Sequence, residues 1–117
     1  MEDYIEMIYR AKDDKGQIRL SSLAKKLNVG VSAASKMAHK LKDCGYISYE
    51  PYGIVAITKK GENEGKRLIS RHNILSDFFS YINSSDNELE LVENIEHFFD
   101  DRTVENLRQL LISLKGD

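Results

Sequence analysis

The chain has 117 residues, 41% of them hydrophobic, with 17 Lys+Arg against 19 Asp+Glu and a net charge of −2. That suits one ordinary domain, or a small domain fused to an oligomerisation arm, with enough apolar content to bury a core. One cysteine excludes a disulfide framework and a Cys-rich zinc site, and with no signal peptide or membrane-spanning apolar run the expected protein is soluble, cytoplasmic and without a membrane partner.

Residues 3–13 read as a helix, with Tyr4, Ile5, Ile8 and Ala11 facing a core and Asp3, Glu6 and Arg10 on the other side. Asp3 and Glu6 sit in its first turn, where the helix dipole favours acids, and that alone would account for them. Asp13-Asp14-Lys15-Gly16 breaks the pattern as a turn. Ser21 or Ser22 is then expected to cap a short helix containing Leu23, Ala24 and Leu27. After a turn at Asn28-Val29-Gly30, Ser32 is expected to cap a second helix running to Cys44, with Ala34, Met37, Ala38 and Leu41 inward. Two helices that cross steeply need a small residue at the crossing, and Ala24 supplies it. The pattern matches a helix-turn-helix, against the plainer alternative of a generic helical hairpin.

Gly45 ends the second helix, as glycine does just past a C-terminus. Two β-prone segments follow, Tyr46–Glu50 and Ile54–Thr58, joined by Pro51-Tyr52-Gly53. A hairpin directly after a helix-turn-helix is a wing. In such a fold the second helix enters the major groove of double-stranded DNA, and its outward side here offers Ser32, Ala33, Ser35, Lys36, His39 and Lys40. Lys36 and Lys40 suit phosphates; Ser32, Ala33, Ser35 and His39 are short-reach candidates for base edges. His39 reads equally as a plain surface histidine.

From Lys60 the chain is helical again, with a stripe of Leu68, Ile74, Leu75, Phe78, Phe79 and Ile82 and His72 at its margin. Taken alone, His72 is a hydrogen-bonded boundary residue more readily than a ligand. Ser84-Ser85-Asp86 interrupts the helix, and the next helix carries Glu93, Glu96 and His97. On a continuous helix these three share a face, with Leu91, Ile95, Phe98 and Phe99 opposite. Two carboxylates and an imidazole make half of a coordination sphere, although the stretch by itself also fits a solvated face. Asp100 or Asp101 can cap a last helix with Val104, Leu107, Leu110, Leu111 and Leu114 inward. So much apolar surface on so short an arm predicts a homodimer.

The charge is split along the chain. Residues 1–60 carry 11 Lys+Arg against 7 Asp+Glu, about +4, whereas residues 61–117 carry 6 against 12, about −6. The expected fold class is mostly α: an N-terminal winged helix-turn-helix over residues 1–62, then an all-helical dimerisation domain over residues 63–117, to which the resemblance below adds metal binding.

These pieces coincide along nearly the whole chain with one family. The sequence resembles the diphtheria-toxin-repressor family of metal-dependent transcriptional regulators, and within it the manganese transport regulator branch. The resemblance rests on Met1–Glu6, Ser35-Lys36-Met37, Tyr49-Glu50, Ile57–Gly61, Gly65–Leu68, Arg71-His72 and Val92–His97. It implies a paired manganese(II) site, two ions per protomer, built from Asp3, Glu6, His72, Glu93, Glu96 and His97. The iron-responsive branch places sulfur-bearing side chains where this chain has Asp3 and Glu93. Manganese is a hard ion with the weakest intrinsic affinity of the divalent series, so oxygen-rich ligands suit it. The sequence departs from the family at the wing, where Tyr52-Gly53-Ile54 lacks an arginine, and at Phe98, where a second histidine is common. The third, SH3-like domain of the larger members does not fit in this length.

The resemblance implies a cytoplasmic repressor of manganese-uptake genes, a homodimer on a palindromic operator in double-stranded DNA. Three rivals keep or drop the metal. One is a regulator of the same fold for iron(II) or another divalent ion, with cobalt(II), cadmium(II) and zinc(II) as further ions that bind in vitro. Another is a winged-helix regulator of a non-metal signal. The third, a dinuclear hydrolase, would leave the helix-turn-helix without a job.

Overall fold

The computed structural model describes residues 1–50 and 53–116; the expected turn residues Pro51 and Tyr52 lie outside the described residues. Two compact units, Met1–Leu68 and Ile69–Asp117, divide the chain.

The first unit runs α1 (Glu2–Ala11), β1 (Gln17–Arg19), α2 (Leu20–Leu27), α3 (Val31–Asp43), β2 (Ile47–Glu50), β3 (Ile54–Ile57) and the start of α4 (Lys59–Ile82). One apolar cluster holds it together: Ile5 and Ile8 from α1, Leu20, Leu23 and Ala24 from α2, Ala34, Ala38 and Leu41 from α3, with Val55 and Leu68. Ala34 and Ala38 are four residues apart on the inner face of α3, and with Ala24 they supply the small side chains of the α2–α3 crossing. Asn28 takes the left-handed conformation (φ 57°, ψ 45°) that ends α2, and the Val29 amide returns to the Ala24 carbonyl. The helix-turn-helix and its hairpin are therefore present as expected.

Three local expectations are corrected. Neither Ser21 nor Ser22 caps α2, because β1 runs straight into the helix and α2 already begins at Leu20 behind Arg19. Ser32 does not cap α3 either; extended Gly30 stands at the cap and Val31 is the first helical residue. The hairpin also has a third strand, unread in the sequence. In the order β1-β3-β2, Ile18 of β1 pairs with Val55. Asp13 starts β1 by accepting the Lys15 and Gln17 amides, both at 2.9 Å.

A dense junction fixes the end of α3 against the start of α4. Gly45 leaves α3 at φ +85°, and its carbonyl accepts the Thr58 hydroxyl at 2.6 Å. The same hydroxyl accepts the Gly61 amide at 3.1 Å, capping the first turn of α4. Lys60 donates to the Cys44 carbonyl at 2.6 Å and lies over the Tyr46 ring. Gly61 has no room for a side chain, since a Cβ there would collide with the Tyr46 carbonyl.

In the second unit the remainder of α4 is followed by α5 (Leu89–Ile95), a 3₁₀ turn (Glu96–Phe98) and α6 (Asp101–Lys115). Leu75, Phe78, Val92, Val104 and Leu111 are its buried apolar residues, and Phe79 meets Phe78 and Phe99 edge to face. Asp100 caps α6, accepting the Thr103 amide at 2.7 Å, and this hydrogen bond lowers its pKa. Arg108 and Gln109 donate to Glu105 and hold its exposed carboxyl at about 2. Of the side chains expected inward on α6, Leu110 and Leu114 stay about half exposed. Ile82, expected in the α4 stripe, is 48% exposed.

Helix propensity favours alanine over glycine in a helix interior by about 1 kcal/mol. At Gly61 the collision with Tyr46 outweighs that gain, so Gly61→Ala should destabilise the chain by roughly 1–3 kcal/mol. Urea denaturation gives the sign directly; an unchanged or raised midpoint would contradict the junction as described.

Candidate metal centre and DNA-binding surface

In the second unit a carboxylate is buried between two imidazoles. Glu96, 5% exposed, opens the 3₁₀ turn, and its Oε2 accepts the His72 Nδ1 proton at 2.7 Å. His97 follows in the same turn, with Nε2 3.9 Å from Glu96 Oε1. An ionised carboxylate out of water is costly unless it is partnered, and these rings are placed to partner it. His72 and Glu96 are residues that would hold a divalent cation here. Oxygen and imidazole nitrogen are a donor set that fits such an ion.

Glu93, Glu96 and His97 do not lie on one continuous α-helical face, because α5 stops at Ile95 and the chain tightens into the 3₁₀ turn. Val92 and Glu96 point inward, whereas Glu93 is exposed and Phe98, expected on the apolar face, is 85% exposed. In the first unit Asp3 is exposed and Glu6 half-buried on α1, three residues apart; Glu6 accepts from Arg10 at 3.2 Å.

Sequence reasoning gave Arg71 no role, yet it is 4% exposed and donates through Nη2 to His97 Nδ1 at 3.2 Å. The signal was available. Leu68, Arg71, Leu75 and Phe78 recur at helical spacing along the buried side of α4, so Arg71 faces inward with them.

On the first unit, Ser32, Ala33, Lys36, His39 and Lys40 are exposed on α3, and Ser35 is half-buried. His39 meets Tyr49 of β2 edge to face, with centroids 5.2 Å apart, which ties the recognition helix to the hairpin. Val31, also missed in the sequence, is 54% exposed at the first position of α3. An apolar side chain there suits a thymine methyl in a major groove.

Comparison with known proteins decides the family. Residues 1–55 match the profile of the iron dependent repressor N-terminal DNA binding domain, and residues 58–117 that of the iron dependent repressor metal binding and dimerisation domain. The chain belongs to the iron-dependent repressor family. It is 37% identical over 118 residues to the HTH-type transcriptional regulator MntR of Oceanobacillus iheyensis, covering 100% of this chain and 80% of that protein. With the MntR of Shouchella clausii it shares 43% identity over 98 residues, 83% of this chain and 68% of that one. Among solved structures, the manganese regulator SloR superposes with a TM-score of 0.75 at 29% identity, over 94% of this chain and 52% of SloR. The chain thus spans about half the length of the solved structure it matches. The diphtheria-toxin-repressor resemblance and the mostly helical, winged helix-turn-helix fold are both established by these matches.

Lys36 and Lys40 are exposed on α3, a position that suits phosphate contacts in a DNA-binding unit. Lys36→Ala and Lys40→Ala should each weaken DNA binding uniformly across sequences and reduce the slope of log K against log salt by about 1. Fluorescence anisotropy over a salt series measures both. A substitution that changes sequence preference and leaves the slope intact would move that lysine to base readout.

Proposed function

We propose that this chain is a manganese-responsive transcriptional repressor, a cytoplasmic homodimer on a palindromic operator that restrains manganese uptake when the metal is plentiful. The observation that carries it is the buried Glu96 between His72 and His97, in a chain whose other unit bears a winged helix-turn-helix. Relatives named as transcriptional regulators, two of them MntR proteins, support regulation over catalysis.

In this reading Asp3, Glu6, His72, Glu93, Glu96 and His97 hold two ions per protomer. Bound manganese supplies positive charge to a site of four carboxylates and two imidazoles. Asp3 and Glu6 come from the DNA-binding region, residues 1–62, and the other four from residues 63–117. Without compensation the carboxylates repel one another. With the site filled, the DNA-binding region is tied to the dimer, and the two recognition helices are held about one DNA turn apart, ~34 Å. The coupling needed is modest, about 1–3 kcal/mol. Exposed Leu110, Ile112, Leu114, Tyr81 and Ile82 supply apolar surface for the dimer contact.

Glu96→Ala removes the central carboxylate. Tested on duplexes selected from a random pool with manganese present, the wild-type chain should bind more tightly with metal, and the variant should lose that stimulation. A variant that kept full stimulation would refute the metal-sensing reading.

A further inference from the structure

Arg71 is the buried cation beside the proposed metal ligands, and its hydrogen bond constrains what His97 can do. A guanidinium has donors only, so His97 Nδ1 must accept in the Arg71 Nη2 contact at 3.2 Å. The single proton of the neutral ring then sits on Nε2, the nitrogen that approaches Glu96 Oε1 at 3.9 Å. One nitrogen has its lone pair engaged and the other carries hydrogen. Neither is open to a metal. Moving the proton to Nδ1 would set an N–H against the arginine's own N–H groups, so the tautomer cannot relax while Arg71 stays.

We propose that Arg71 is a tethered cation that keeps His97 out of coordination in the metal-free chain and thereby sets the manganese concentration at which the site fills. This rests on the metal-sensing reading above and adds a threshold to it. Arg71 is 4% exposed, so its end of the charge-assisted contact is shielded from water, although the His97 side chain is 37% exposed. His97 ligates only after that bond breaks, so the apparent affinity is lowered by the fraction of chains in which it is broken. Arg71 is a positioning residue in this scheme; it acts through the ring of His97.

The test joins two measurements. Long-range ¹H–¹⁵N NMR of the metal-free wild-type chain should find His97 as the Nε2–H tautomer; an Nδ1–H tautomer would overturn the proposal without any variant. Titration with Mn²⁺ should then give a Kd about ten- to hundredfold lower for Arg71→Met than for wild type, the scale of one hydrogen bond to a charged group. Arg71→Lys, which keeps the charge without the fork, should fall between the two. Damage to the fold would weaken metal binding, so tighter binding cannot come from it. Unchanged or weaker binding in both variants, with wild type binding normally, would overturn this inference alone. Wild type that fails to bind manganese would overturn the sensing reading and the threshold with it.

Discussion

The second unit is built around a carboxylate that has left water. Glu96 is buried in the turn between α5 and α6, and an isolated charge in such a place would cost several kcal/mol. Three features of the unit answer that cost. His72 comes from the long helix α4 and the partly exposed His97 from the turn itself, and Arg71, one residue before His72, is buried. The 3₁₀ turn directs Glu96 inward, and the Asp100 cap that follows lets the chain turn directly into α6. A carboxylate, two imidazoles and one guanidinium are gathered here, and the buried Arg71 Nε makes no hydrogen bond among the described residues. Metal uptake at such a site is necessarily coupled to proton release.

The first unit solves a different problem, that of presenting a helix rigidly. Its apolar cluster holds α3 from within through Ala34, Ala38 and Leu41, while the Gly45–Thr58–Gly61 junction fixes the end of that helix to α4. The His39–Tyr49 contact fixes the recognition helix to the wing. Exposed Ser32, Ala33, Lys36 and Lys40 are thus carried on a support with little freedom, as preorganised recognition requires.

Much of this was legible in the sequence. Apolar periodicity gave α1, α3 and α4 to within a residue or two, and Asn28, Gly45 and Asp100 marked boundaries through their own conformational chemistry. The misses have physical causes. Serine caps were expected at α2 and α3 because serine is a good cap, but a strand running into one helix and an extended glycine before the other made those serines helical. Strand β1 has three residues, too few for an alternating pattern; its pairing with β3 is a tertiary fact. Treating Leu91–Phe99 as one helix turned Phe98 inward, because helix arithmetic has no means of anticipating a 3₁₀ turn. His72 on its own looked like a boundary residue; the family resemblance singled it out in the sequence, and the structure pairs it with Glu96.

Manganese sensing as proposed above requires two manganese ions per protomer. Titration of the metal-free protein with Mn²⁺, followed by electron paramagnetic resonance, tests it most directly. The six-line signal of free manganese should stay suppressed until two ions per protomer are bound, with a broadened spectrum from two ions in contact. A free-ion signal rising from the first addition would contradict it.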